Sequence, residues 1–152
     1  MEFRAMTPEG LFAMTGPPVL VGWGVLILGP RGVGWLNALP GILIPLGLSA
    51  VYTGLVLVHF AATGGGYGSL AEVRMLFASD WMILAGWVHY LAFDMIVGAW
   101  LARRMDRCGI GRIVQAAVLL TTFLFGPVGV LIALVTEGAL RLEQARMTEG
   151  LA

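Results

Sequence analysis

Any chemistry in this chain has to be argued around Asp94. It is the only charged residue between Trp81 and Ala102, a stretch apolar enough to be one membrane helix. An ionisable group at such a depth is expensive, so it points to function by default. A carboxyl in these surroundings suits a proton donor or a relay. On a helix Trp87, Tyr90 and Asp94 fall on one stripe, by the i, i+3, i+4, i+7 rule. His89 lies about 140° around from Asp94 and ~7–8 Å along the axis. The two therefore reach different neighbouring helices, or two sides of one cavity. A second apolar stretch supplies Tyr52 and His59, seven apart and on one face. The candidate acid–base residues are Asp94, His89 and His59. The candidate substrate-binding residues are Trp87, Tyr90, Phe93 and Tyr52, whose ring faces can stabilise developing positive charge.

Each of these has a plainer role to set beside the chemical one. A histidine near a helix end can simply donate to a backbone carbonyl, and Asp94 can tie helices together. Trp81 and Trp100 bracket their span like interface anchors. Two histidines without a third ligand at helical spacing do not make a metal site, and no cofactor is expected.

The elements that must hold these residues follow from composition. Of 152 residues, 59% are hydrophobic, only 12% are charged and 22 are glycine. A soluble domain carries about twice that charge fraction. Nine arginines balance nine acids and there is no lysine, which excludes a nucleic-acid binder. A lone Cys108 forms no intramolecular disulfide. The chain reads as an integral membrane protein. Gly10–Pro30, Gly32–Ala71 and Ile113–Thr136 are free of charge. With the Asp94 stretch they give an all-α bundle of four transmembrane helices, at roughly 9–28, 40–63, 81–103 and 113–138, and a polar tail over 139–152. One membrane domain accounts for the whole sequence.

Local signals set the boundaries. Thr7-Pro8-Glu9 is a helix start, and Gly29-Pro30 a stop. The first span reads as retained, because only Arg4 precedes it as a basic residue and no small-x-small site follows Leu28. Asp80 is placed to cap the third span, and Arg103-Arg104 to end it at the interface. Pro17-Pro18 and Pro127 lie inside spans 1 and 4, and such bends usually face protein. Pro40 and Pro45 fall in the first turns of span 2. Ala50-x-x-x-Gly54 is a small-residue pattern that permits close helix approach. Between spans 2 and 3, Gly64-Gly65-Gly66-Tyr67-Gly68 precedes Ser69-Leu70-Ala71-Glu72, a capping box. It predicts a short amphipathic helix to about Phe77, with Leu70, Val73 and Phe77 on one side. The glycine run lacks the GK[ST] ending of a phosphate loop and can instead fold over the membrane face.

Arginines set the orientation. The loop between spans 3 and 4 holds Arg103, Arg104, Arg107 and Arg112, which places it in the cytoplasm and both termini opposite. With four crossings the whole-chain bias is slender, five arginines against four.

A resemblance covers much of the chain. Gly65-Gly66-Tyr67-Gly68-Ser69-Leu70, then Leu76-Phe77-Ala78, Leu84 to Asp94 and Leu120 to Gly129 resemble the abscisic-acid-deficient-type, neoxanthin synthase-like family of small four-helix membrane proteins. The closest likeness runs from about Gly64 to Leu131, and the chain resembles a bacterial member. Plant members are implicated in converting violaxanthin to neoxanthin. The resemblance therefore implies a carotenoid or other isoprenoid lipid as partner, and the bacterial inner membrane as location. Trp87, His89 and Asp94 would be the polar signature.

Two classes of function fit. A cofactor-free isomerase would open an epoxide, Asp94 donating a proton while His89 or His59 accepts one. A carotenoid- or lipid-binding scaffold would use the same aromatics without chemistry. A small transporter fits less well, since four spans make a narrow pore and no inverted repeat is visible. Homo-oligomers are compatible with any of these.

Overall fold

The computed structural model describes residues 6–149, and all regular structure in them is helical. The helices are α1 (Pro8–Leu28), α2 (Gly34–Ala38), α3 (Ile44–His59), α4 (Leu70–Leu76), α5 (Asp80–Arg107), α6 (Arg112–Phe125) and α7 (Pro127–Glu149). A π-helical turn, Leu39–Leu43, fuses α2 to α3. Three rods are long and apolar enough to cross a membrane: α1 with 21 residues, α2–α3 with 26 and α5 with 28.

Thr7 caps α1 by accepting from the Gly10 amide at 3.1 Å, and Pro8 takes the first turn. Pro17 and Pro18 do not face protein as expected. Both are exposed in an unbroken helix, Pro18 on the rim of an apolar groove shared with α3. The second rod starts at Gly34 rather than 40 and ends at His59 rather than 63. Asn37 explains the early start, because its amide reaches the carbonyls of Pro30, Arg31 and Val33 and fixes the preceding loop. The π turn carries the helix past Pro40, which lacks an N–H, by closing Ile44 N–H onto the Leu39 carbonyl.

Helices α1, α3, α6 and α7 pack around α5. Trp23 of α1 lies on Gly98, where a Cβ would come within 2.6 Å of the indole, and Gly22 receives Met95. The α3–α5 pair is antiparallel, as the contacts of Tyr52 with His89 and of His59 with Trp81 require. Two boundary expectations for α5 are corrected. Ser79 holds the cap position without a side-chain bond and Asp80 is the first helical residue, and the helix runs past Arg103-Arg104 to Arg107.

The largest correction concerns the last span. The stretch 113–138 is not one continuous helix. Gly126, at φ +25°, breaks it into α6 and α7, and two contacts fix their relation. Gly126 lies against Asp94, halfway along α5, whereas Glu137 pairs with Arg104, ten residues further towards the α5 C-terminus. Ten residues of helix span ~15 Å. Helix α6 therefore climbs from the 108–111 turn to mid-α5, and α7 descends beside it. Gly129 permits this hairpin, since a Cβ there would stand 2.5 Å from the Thr122 backbone. Gly138 does not end a span, and the expected tail continues α7 to Glu149. The last helix thus leaves on the same side as the 108–111 turn, not the opposite one. Seven of the eight arginines among the described residues then share that end: Arg31, Arg103, Arg104, Arg107, Arg112, Arg141 and Arg146. Arg74 alone is at the α4 end.

A polar clasp closes the arginine end. Gln115, 2% exposed, donates to Asp106 Oδ1 and to the Ile110 carbonyl, both at 2.8 Å. Arg31 pairs with Asp106 at 3.2 Å, and burial beside Arg112 pulls its guanidinium pKa below the usual value. Arg112 donates to the Ile27 and Gly29 carbonyls, capping α1 in trans.

Candidate functional site

The hairpin reaches only to mid-α5, so the first half of α5 keeps a face that no fourth helix covers. On that half the structure places the candidate residues in three separate settings.

His59 lies flat on Trp81, rings 4.7 Å apart and within 3° of parallel, at the α4 end of the bundle. His89 stands two turns deeper, against Tyr52 at 5.3 Å and stacked on Phe93 at 4.5 Å. With Tyr52, Tyr67 and Phe77 it lines a cleft of about 190 Å³. Trp87 and Tyr90, with ring centroids 5.7 Å apart, face another direction. They line an open groove of about 420 Å³ with Phe77, Ile83 and Gly86. Phe12 of α1 meets Trp87 at 5.8 Å and leads to a third hollow of about 290 Å³, rimmed by Glu9 and Asp80.

Asp94 continues the Trp87–Tyr90 stripe and meets the tip of the hairpin. A Cβ at Gly126 would stand 2.7 Å from Asp94 Oδ1. The other oxygen, Oδ2, is buried and has no hydrogen-bond partner. Asp94 and His89 do not meet. The three candidate acid–base residues therefore do not form one catalytic constellation; Asp94 shares a face with aromatics, and His89 shares a cleft with tyrosines.

The glycine loop reaches the His89 cleft. Ser69 accepts from the Glu72 amide at 3.2 Å, as the capping box requires, and the Glu72 carboxylate accepts from the Gly68 amide at 3.0 Å. Gly65 sits so close to α4 that a Cβ would lie 2.4 Å from the Leu76 nitrogen. This clamp carries Tyr67 over the cleft. The amphipathic pattern of α4 differs from expectation: Leu76 is the buried residue, while Leu70 and Phe77 are exposed. Phe77 instead lies on Gly86 of α5. Sequence reasoning missed Tyr67 and Phe12 as lining residues and Gln115 as a polar anchor. An isolated glutamine in an uncharged run was the one available signal for the last.

A family model described as ABA DEFICIENT 4-like matches residues 10–132. The chain belongs to this family. The match takes in nearly all of α1, then α2 to α6 and the start of α7, a wider span than the motifs of the second half alone. Every candidate residue lies within it, as does Gly126, whereas Glu137 lies beyond. No curated protein and no solved structure matches the chain. Family membership and three crossing-length apolar helices make this a membrane protein of the ABA DEFICIENT 4-like family.

Proposed function

We propose that the protein binds a carotenoid-type isoprenoid along the uncovered face of α5 and isomerises it, with Asp94 as the proton-transferring group. The observation that carries this reading is Asp94 itself: a mid-helix carboxyl with one buried, unpartnered oxygen, continuing the stripe of exposed Trp87 and half-buried Tyr90. The separation of Asp94 from His89 reshapes the chemistry. A single carboxyl serves both steps, donating its proton to an epoxide oxygen as the C–O bond opens, then taking a proton from the neighbouring carbon. Protons and mass balance, and no cofactor enters. Trp87 and Tyr90 offer ring faces to the cationic carbon between the two steps. His89 and Tyr52 hold a polar end of the molecule, and His59, stacked on Trp81, anchors the helix pair near the interface.

The carrier or scaffold reading is favoured by that same separation, because neither histidine converges on Asp94, which is left with Tyr90 of its own helix as a titratable neighbour. Expression in a bacterium producing xanthophylls, with chromatography and mass spectrometry of extracted and copurified pigment, distinguishes the two. A new isomer of unchanged mass, absent in Asp94→Asn, supports the isomerase. Bound but unaltered pigment supports the carrier. The arginine distribution argues for the 108–111 turn and the α7 end in the cytoplasm of a bacterial inner membrane.

A further inference from the structure

Gly86 stands inside α5, where glycine is a poorer helix former than alanine. The Phe77 ring fills the space a side chain would need, with Cε1 2.8 Å from a Cβ built at 86. That ring borders two cavities, the cleft of about 190 Å³ that holds His89 and the open groove of about 420 Å³ that holds Trp87 and Tyr90. Gly86 borders both as well. The groove in turn shares Ile83 and Trp87 with the hollow beside Phe12. The three hollows follow one another around α5, and the Phe77 ring stands between the His89 cleft, whose outer rim is formed by the exposed His89 and Tyr67, and the rest. Phe77 is 44% exposed and immediately follows the short helix α4, so its ring can leave Gly86 without opening the core.

We propose that Phe77 is a gate between the open groove and the His89 cleft, and that its ligand is an elongated isoprenoid with a hydroxyl-bearing end group. The inner cleft is worth roughly six waters at ~30 Å³ each, enough for one terminal ring and not for a chain. Tyr52, Tyr67 and His89 supply hydroxyl and imidazole partners for one hydroxyl there. The chain of the ligand then lies in the groove along Trp87 and Tyr90, open to lipid. This assignment rests on the isoprenoid reading above and adds the route and the residue that controls it.

The test uses the full chain in phospholipid nanodiscs and a photoreactive isoprenoid alcohol carrying a diazirine beside its hydroxyl. Crosslinked peptides are mapped by mass spectrometry. In the unaltered protein the Tyr52 and Tyr67 peptides are labelled. Phe77→Trp lowers that labelling at least fivefold while labelling assigned by fragmentation to Trp87 and Tyr90 themselves, not to His89 between them, persists, and Phe77→Ala speeds cleft labelling at least threefold. Phe77→Leu and the thermal melts of all three variants separate gating from misfolding. Cleft labelling indifferent to residue 77 overturns the gate and leaves binding intact. Absence of labelling in both cavities overturns the gate together with the isoprenoid reading. Competition by fatty acid but not by unlabelled isoprenoid alcohol overturns the ligand class. Gated labelling without any isomerised product sinks the isomerase and leaves the gate standing.

Discussion

Arg104 and Glu137 form a two-pronged ion pair, Nε to Oε2 at 2.5 Å and Nη2 to Oε1 at 3.1 Å, between the last turns of α5 and the middle of α7. Arg141 joins the same carboxylate from the next turn of α7. The pair holds α7 against the arginine end of α5, so the polypeptide turns back at mid-depth instead of crossing. Its consequence is three helical rods of crossing length beside one hairpin that reaches only halfway along α5.

Reporter fusions check that topology directly. A reporter joined after α7 and one inserted at Gly109 should report the same side, and one inserted at Gly65 the other. A C-terminal reporter on the Gly65 side would mean that α6 and α7 cross the membrane as one span.

Gly126 and Gly129 make the hairpin possible for different reasons. At φ +25° a side chain at 126 is strained, and its Cβ runs into Asp94. Gly126→Ala should cost about 1–3 kcal/mol. Gly129→Ala meets the Thr122 hydroxyl and, behind it, the Thr122 backbone, which cannot move aside, and should cost at least as much. Gly138→Ala, where nothing lies within 4 Å, should be neutral or gain up to about 1 kcal/mol. Melting in detergent ranks the three, and equal effects would contradict the packing at the tip.

Gln115 is the buried centre of the clasp between the 108–111 turn, α1 and α5. Gln115→Ala leaves Asp106 and the Ile110 carbonyl short of a donor and should cost about 1–3 kcal/mol. Gln115→Glu adds a negative charge beside Asp106 but also faces Arg31 and Arg112, so it should be tolerated better. A Gln115→Ala protein that melts at the native temperature would show that the clasp is dispensable.

Asp94→Asn keeps the shape of the side chain and removes its proton chemistry. Pigment should still copurify at close to the native ratio while isomerised product falls at least a hundredfold. His59→Phe, which preserves stacking on Trp81, should leave product unchanged. Loss of activity in His59→Phe would return that histidine to the chemistry.

What the sequence made legible was local and periodic. Thr7-Pro8, the Ser69–Glu72 box and the stripe of Trp87, Tyr90 and Asp94 were readable because each depends on neighbours within two turns. The fused α2–α3 rod was not, because a π turn at Pro40 leaves the hydropathy pattern unchanged. The hairpin was hidden for a related reason. A 26-residue apolar run looks the same whether it crosses or folds back, and the deciding partners, Asp94 with Gly126 and Arg104 with Glu137, lie more than 30 residues apart. The candidate site divided along the same line. Which residues share a helix face could be counted, while the assignment of His89 to one cavity and Asp94 to another depended on which neighbouring helix stops short.

The half-depth hairpin also gives the molecule two unequal cross-sections. In the leaflet at the arginine end, α1, α2–α3, α5, α6 and α7 all take up area, while the opposite leaflet holds only α1, α3 and α5 with α4 at its rim. Such a wedge displaces more lipid from one monolayer than from the other. In a bilayer, lateral pressure and curvature thereby become variables that act on such a shape, and the narrower half of the protein, where Phe77 and Trp87 lie, is the one that lipid can press into.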